Sequence, residues 1–333
     1  MIRILFHPPL DTNQMNQNQN IEELNILFLD ACNNGRTEEV SQLLKNPQVN
    51  PNYQDIDGQT SLFKACSKGD IDIVKLLLND YRIEVNLGDD GGGTPFSQAC
   101  VKRDIEIVKL LSNDGRIDIN KAYDSGETPF FLACYNNCVE VVKLLLNNER
   151  VDINKATNVG ETPFWITCEQ NNIEILELLL NDQRVDINKA MIDGGTPFHV
   201  ACENRSFDVV EYILASEREV DVDAKDSKGR TALEITRNET TKEKESWERE
   251  IDFISGRIID LSVVDLIESF KRNPNETRFK LRLGLQFPGK SNFFIYLLYF
   301  ITFNSKICIS IFHSFFISRS LCCFYLCNYC PPL

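Results

Sequence analysis

Histidine is nearly missing from this chain: 333 residues hold three, His7, His199 and His313. With one histidine inside the patterned region, a Ser/His/Asp or Cys/His constellation has no base to build on. Long hydrophobic runs are missing too. The apolar stretch Phe293–Phe303 covers 11 residues, about half of the roughly 20 that a membrane helix needs. Extending it would bury Lys306, at a cost of a few kcal/mol (~3) at the bilayer centre. Met1–Leu10 ends in Pro8-Pro9, is too short for a signal peptide and has no small-residue cleavage site. Basic charge is in short supply: 35 Lys and Arg against 49 Asp and Glu give a net charge of −14. That balance speaks against a nucleic-acid backbone as partner and favours a basic protein. Gly91-Gly92-Gly93 has no Lys-Ser/Thr after it, so it is not a phosphate loop.

What the chain does have is self-similarity. Thr94-Pro95-Phe96, Thr128-Pro129-Phe130, Thr162-Pro163-Phe164 and Thr196-Pro197-Phe198 recur every 34 residues. Thr60-Ser61-Leu62 extends the series back by one period, and Thr231-Ala232-Leu233 extends it forward with one inserted residue. A glycine precedes each threonine by two residues, from Gly58 to Gly229. A fixed period of this size indicates a solenoid, whose core lies between neighbouring repeats. Six of the 12 cysteines are one repeat position: Cys32, Cys66, Cys100, Cys134, Cys168 and Cys202. Stacked helices sit roughly 10 Å apart, too far for a disulfide. These cysteines read as small apolar core residues of a chain kept in a reducing compartment, the cytoplasm.

One period shows the physics. Asp124-Ser125-Gly126-Glu127 is a turn, since Asp and Ser bond their own backbone and Gly accepts positive φ. Thr128 caps a helix, and Pro129 starts it without an unsatisfied amide. Phe130, Ala133 and Cys134 face inward on this short first helix. Asn136-Asn137 breaks it. Val139–Asn147 is a second helix, apolar nearly all round and so buried on several sides. Asn147–Asn154 is expected to return in extended form. On such a segment Arg82, Arg116, Arg150, Arg184 and Arg218 share a face with Glu84, Asp118, Asp152 and Asp186 two residues on. An arginine of one repeat is therefore expected near the acid of the next, in exposed pairs worth under about 1 kcal/mol. Asn79, Asn113, Asn147 and Asn181 are expected to satisfy backbone groups at second-helix ends.

Gly-x-Thr-Pro-Phe-x-x-Ala-Cys, then Val-Val-x-Leu-Leu-Leu, then Val-Asp-Ile-Asn, resembles the ankyrin repeat. The resemblance covers residues 21–245 and about seven units: a half-formed N-terminal unit at 21–50, then units starting near 55, 89, 123, 157, 191 and 226. It implies a mainly α solenoid of β-hairpin turns and antiparallel helix pairs. The period of 34 exceeds the family's 33 through one residue after the second helix. The family's histidine after Thr-Pro-Leu, which bonds the hairpin backbone, survives only as His199. Phe63, Ser97, Phe131, Trp165 and Glu234 replace it, so turn packing is expected to rely on aromatic contact.

Outside the array, residues 1–20 include an Asn/Gln run and read as a disordered leader, with Met15 as an alternative start. Residues 246–290 read as a helical C-terminal cap, in which the alternation Phe279, Leu281, Leu283, Leu285 is either a strand or a frayed helix. Residues 291–333 have no acid and no glycine. Their composition is that of T-rich codons, as a read-through intron or shifted frame would give. A weak membrane segment and a hydrophobic interaction tail are the alternatives. Cys327 and Cys330 form a C-x-x-C without a second clean pair, so no zinc site is expected there.

The resemblance implies a non-catalytic scaffold or adaptor that grips a protein partner in a concave groove, with no cofactor, no metal, no nucleic acid and no small-molecule substrate. A membrane-tethered form and a targeting module of a larger enzyme are the alternatives. Positions that vary while their neighbours repeat are the candidate contacts. At the turns these are Ile56, Asp57, Asp90, Tyr123, Ser125, Glu127, Val159, Glu161, Met191 and Asp193. On the first helices they are Lys68, Lys102, Tyr135, Gln170 and Asn204. Tyr123 and Tyr135 lie in one repeat and are the expected anchor.

Overall fold

A computed structural model describes residues 12–237 and 259–285. Helix α1 (Thr12–Asn33) pairs with α2 (Thr37–Leu43) in repeat 1. Repeat 2 holds α3 (Ser61–Lys68) and α4 (Ile71–Leu78), and repeat 3 holds α5 (Pro95–Lys102) and α6 (Ile105–Asn113). Repeats 4, 5 and 6 hold α7 (Pro129–Tyr135) with α8 (Val139–Leu146), α9 (Pro163–Glu169) with α10 (Ile173–Asn181), and α11 (Pro197–Glu203) with α12 (Phe207–Ala215). Repeat 7 is described only through its first helical residues, 232–237. Beyond it come α13 (Ile259–Arg272) and α14 (Pro274–Leu285).

The starts of the first helices follow from their sequence. The hydroxyl of each capping threonine accepts the amide three residues on: Phe63 to Thr60 at 3.2 Å, Ser97 to Thr94 at 3.1 Å, Phe131 to Thr128 at 3.1 Å, Trp165 to Thr162 at 3.0 Å. Inside, Phe96, Phe130, Phe164 and Phe198 are each 1% exposed. A buried ring of this kind stabilises by roughly 1.5–3 kcal/mol. The six cysteines of the 34-residue series are buried and free. Together with Ala65, Ala99, Ala133 and Ala201 they leave little bulk between first helices. These inner helices therefore stack more closely than the outer ones. The second helices of repeats 2 to 6 each bury an apolar triad, for example Ile107, Val108 and Leu111, or Ile175, Leu176 and Leu179, whereas α2 buries Val40.

Several expectations are corrected. Asn13–Asn20, read as disordered, lies within α1. Once the packed end around Phe28 and Ala31 has nucleated the helix, each further residue adds a hydrogen bond at small cost. The hairpins are turns without strands among the described residues. Each is closed by two backbone bonds, as in Tyr123 N to Glu127 O at 3.0 Å and Gly126 N to Tyr123 O at 2.9 Å. Of the two alternatives for Phe279–Leu285, strand or helix, the chain takes the helix. Pro274 opens that helix, a position where its missing amide costs nothing. The leader residues 1–11, the middle of the array's end and start of the cap (238–258), and residues 286–333, including the whole expected tail, lie outside the described residues.

The arginine series does something other than expected. The return segment is turned rather than extended: Arg82, Arg116 and Arg184 fold back on Asp80, Asp114 and Asp182 two residues earlier, each at 2.6 Å. The guanidinium then donates to the end of the preceding repeat's second helix, Arg116 to Leu78 O at 2.7 Å and Arg184 to Leu146 O at 2.6 Å. A helix C-terminus carries unpaired carbonyls and partial negative charge, so a cation there is favoured twice. The second-helix asparagines behave as expected at Asn147, whose amide donates to Lys143 O at 3.0 Å.

Candidate functional site

The turns and the C-terminal ends of the inner helices, where the candidate contacts were expected, lie on one side of the array. Two backbone devices fix the turns against one another. At the tips, Asp124 N donates to Gly91 O at 3.0 Å, Asn158 N to Ser125 O at 3.0 Å and Ile192 N to Val159 O at 3.2 Å. Deeper, a second asparagine series, Asn52, Asn86, Asn120, Asn154 and Asn188, bridges repeats with both ends of the side-chain amide. Asn120 donates to Arg150 O at 2.7 Å and accepts from Asp152 N at 2.8 Å, and Asn154 does the same with Arg184 and Asp186. Lys121, Lys155 and Lys189 add a bond each to the backbone oxygen of Asn86, Asn120 and Asn154. The asparagine period was visible in the sequence, but only the fold shows that it joins repeats.

All 15 candidate contact positions lie at the surface or partly so. Ile56 is 95% exposed and Val159 52%. Asp57, Asp90, Ser125 and Asp193 are exposed at the turns, where Glu127, Glu161, Met191 and Tyr123 are half-buried. Lys68 and Lys102 end their helices, Gln170 and Asn204 follow theirs, and all four are exposed. Tyr135, at the end of α7, is 49% exposed. The two tyrosines differ in kind. Tyr123 lies on the preceding repeat: a Cβ at Gly93 would sit 2.6 Å from its ring. Burial raises its hydroxyl pKa, partly offset by a hydrogen bond with Ser97. Its ring face is already used in packing, whereas Tyr135 is open.

Charge on this face is uneven. Glu169 and Glu127 lie close enough to act on Glu161, whose carboxyl is raised by burial, partly offset by a hydrogen bond with Thr157, and raised further by those two glutamates. The hydrogen bonds to them come from neutral groups: the Ser125 hydroxyl on Glu127, Thr157 on Glu161 at 3.4 Å, and the Gln170 amide on Glu169 at 3.2 Å. Glu203, 34 residues after Glu169, is exposed. Glu169, Glu203 and Ile192, 79% exposed, were not among the expected contacts. A signal was present at Glu169, which departs from Ser67, Val101 and Tyr135 at the same position of earlier repeats, and at Ile192, which departs from Asp90, Asp124 and Asn158.

The position after Thr-Pro-Phe has several solutions. His199 bonds its own cap, Nδ1 to Thr196 Oγ1 at 2.7 Å, and reaches the next turn, Nε2 to Arg230 O at 3.2 Å. Ser97 and Glu234 return a bond to the cap amide, at 2.9 and 2.8 Å. Phe63 and Phe131 are 4% exposed and pack. Aromatic contact is thus one replacement among several. Trp165 is 7% exposed, and its Nε1 has no hydrogen-bond partner. Among the described residues no three His, Cys, Asp or Glu side chains are grouped to hold a metal ion, and no helix is long and apolar enough to cross a membrane.

Comparison with known proteins agrees with this architecture. A family model described as "Ankyrin repeats (3 copies)" matches residues 1–89, 27–123 and 96–191, and "Ankyrin repeats (many copies)" matches residues 191–235. The ankyrin repeat domain of Bcl-3, described as a unique member of the IkappaB protein family, is similar in structure, with a TM-score of 0.56 and 22% identity. The match covers 62% of this chain and 92% of that one. At that identity the likeness speaks for the fold. No curated protein matches the chain significantly.

Proposed function

The chain belongs to the ankyrin-repeat family, and from that premise we propose that it is a non-catalytic adaptor that binds a basic partner protein along its concave face in the cytoplasm. Ankyrin repeats generally mediate protein–protein interaction, and the observation that carries the reading here is the division of labour within each repeat. The positions that repeat are consumed by capping, packing and inter-repeat bonds. The positions that vary, from Ile56 to Asn204, are left at the surface on the turns and inner-helix ends. A rigid surface with variable side chains on a fixed scaffold is suited to recognition. A basic partner is supported by the net charge of −14 and by the grouping of Glu127, Glu161 and Glu169, whose hydrogen bonds come from hydroxyl and amide groups. Seven of the twelve cysteines are buried and unbridged, which suits a reducing compartment.

The test is affinity capture with the full chain from cells, repeated with Tyr135→Ala/Gln170→Ala on the concave face and with Lys109→Ala on an outer helix. A partner lost with the first variant and kept with the second supports the proposal. No reproducible partner, or equal loss from both, would sink it.

A further inference from the structure

Repeats 2 to 7 each place two residues at the outermost point of the turn, and in a periodic array each turn is a control for the others. The pairs are Ile56-Asp57, Asp90-Gly91, Asp124-Ser125, Asn158-Val159, Ile192-Asp193 and Ser227-Lys228. Turn positions favour Gly, Asn, Asp and Ser, whose backbones and short side chains suit them. Two adjacent repeats depart together: Val159 is 52% and Ile192 79% exposed. A lone exposed aliphatic residue is ordinary. These two are joined, because the Ile192 amide donates to the Val159 carbonyl at 3.2 Å. Gly160, at φ +95°, lies so close that a Cβ there would be 2.8 Å from Ile192 N and 2.8 Å from Met191 Cα. Val159, Ile192 and the half-exposed Met191 thus form a fixed apolar ridge across two repeats.

The ridge has acidic surroundings. Asp193 is its immediate neighbour, and Glu161 lies two residues after Val159. Glu127 holds the position of Glu161 one repeat earlier, and Glu169 ends the inner helix below. The hydrogen bonds to these three glutamates come from hydroxyl and amide groups.

We propose that this ridge docks a short segment of a partner protein in which an aliphatic or aromatic side chain is flanked by lysine or arginine. The apolar side chain covers Val159 and Ile192, removing from water the surface they now expose. The flanking cations reach Glu161, Glu127 and Glu169, whose mutual repulsion they relieve. Tyr135, on the inner helix of the preceding repeat, borders the same face. The inference rests on the concave face being the binding face, and it adds the subsite and the chemistry of its occupant.

Panning a displayed library of random peptides on the full chain at low salt tests it. Selected peptides are expected to carry an apolar residue flanked by Lys or Arg. Their affinity, read by fluorescence anisotropy, should fall about tenfold or more with Ile192→Ser and with Glu161→Gln. It should also weaken as salt is raised and stay unchanged with Tyr81→Ser, an exposed aromatic residue just after the second helix of repeat 2. Ile192 is exposed, so an unaltered melting curve separates lost contact from lost fold. Selected peptides without basic residues, or indifferent to Ile192→Ser, overturn the proposal; if they still lose binding with Tyr135→Ala, the broader reading of the concave face survives. Failure to select any peptide overturns both.

Discussion

At the scale of the residue, repetition turns every substitution into an internal comparison. Trp165 fills the place where Phe63 and Phe131 pack and His199 bonds, yet its indole N–H is buried without a partner. A buried donor left unsatisfied costs about 1–3 kcal/mol. Trp165→Phe removes that cost along with part of a ring, in a place shaped for phenylalanine in two other repeats. Its unfolding free energy should stay within about 1 kcal/mol of the parent, unlike the larger loss usual for trimming a buried ring. Urea titration followed by circular dichroism reads this, and a loss above that bound would mean the indole packs better than phenylalanine does elsewhere. The arginine–aspartate pairs carry a pH signature. Asp182, like Asp80 and Asp114, has its pKa lowered, first by the hydrogen bond from its arginine. A depressed carboxyl contributes stability that is present above the unfolded-state pKa, about 4, and lost as pH falls through the folded one. Asp182→Asn should therefore cost under about 1 kcal/mol at neutral pH, since solvent screens a partly exposed pair, and should flatten the acid limb below about pH 4. An acid limb of unchanged slope would show that the pair forms no better folded than unfolded.

At the scale of the element, the helices of repeats 2 to 6 have seven to nine residues each, and isolated helices that short are marginal in water. Each is held by its pair and by the next repeat. The asparagine bridges are the part of that coupling that is not apolar. Asn154 donates to Arg184 O at 2.7 Å and accepts from Asp186 N at 2.8 Å. Asn154→Ala removes both bonds at a half-buried site, and each is worth about 1 kcal/mol net. A loss of about 1–2 kcal/mol is expected, with faster hydrogen exchange at the Asp186 amide than at Asp118, whose bond to Asn86 is untouched. Equal exchange at the two amides would count against a bridging role.

At the scale of the molecule, the buried thiols form a column with a single chemical consequence. Burial pushes Cys32, Cys134 and Cys202 up to about 12, and Cys66, Cys100 and Cys168 upward as well. A folded pKa raised above the unfolded one gives stability that is complete below the unfolded value and is lost as pH rises past it. The array should therefore weaken steeply above about pH 8.5, each thiol contributing up to about 1.4 kcal/mol per pH unit. Cys168→Ala, though less stable at neutral pH, should lose less between pH 8 and pH 10. Parallel slopes for parent and variant would remove the thiols as the cause. Because each repeat touches only its neighbours, effects at well-separated repeats should add.

The repeat length, the glycine turns, the threonine caps, the proline starts and the inward faces are legible in the amino-acid order alone, because each depends on chemistry within a few residues. Thr128, Pro129, Phe130 and Cys134 sit as their types and spacing require. That order also singled out, as candidate contacts, the turn and inner-helix positions where the repeats disagree. It misplaced what depends on the path of the chain between elements. Arg82 and Glu84 share a face only if the segment is extended, and a turn closed on Asp80 sends the arginine back to the previous repeat instead. Tyr123 and Tyr135 looked equivalent as variable tyrosines, but the close approach of Gly93 takes one ring into the packing and leaves the other free. Val159 and Ile192 lie 33 residues apart in the chain and become one ridge only when neighbouring turns meet. Local chemistry is written in each repeat, while contact across repeats is decided by how they stack.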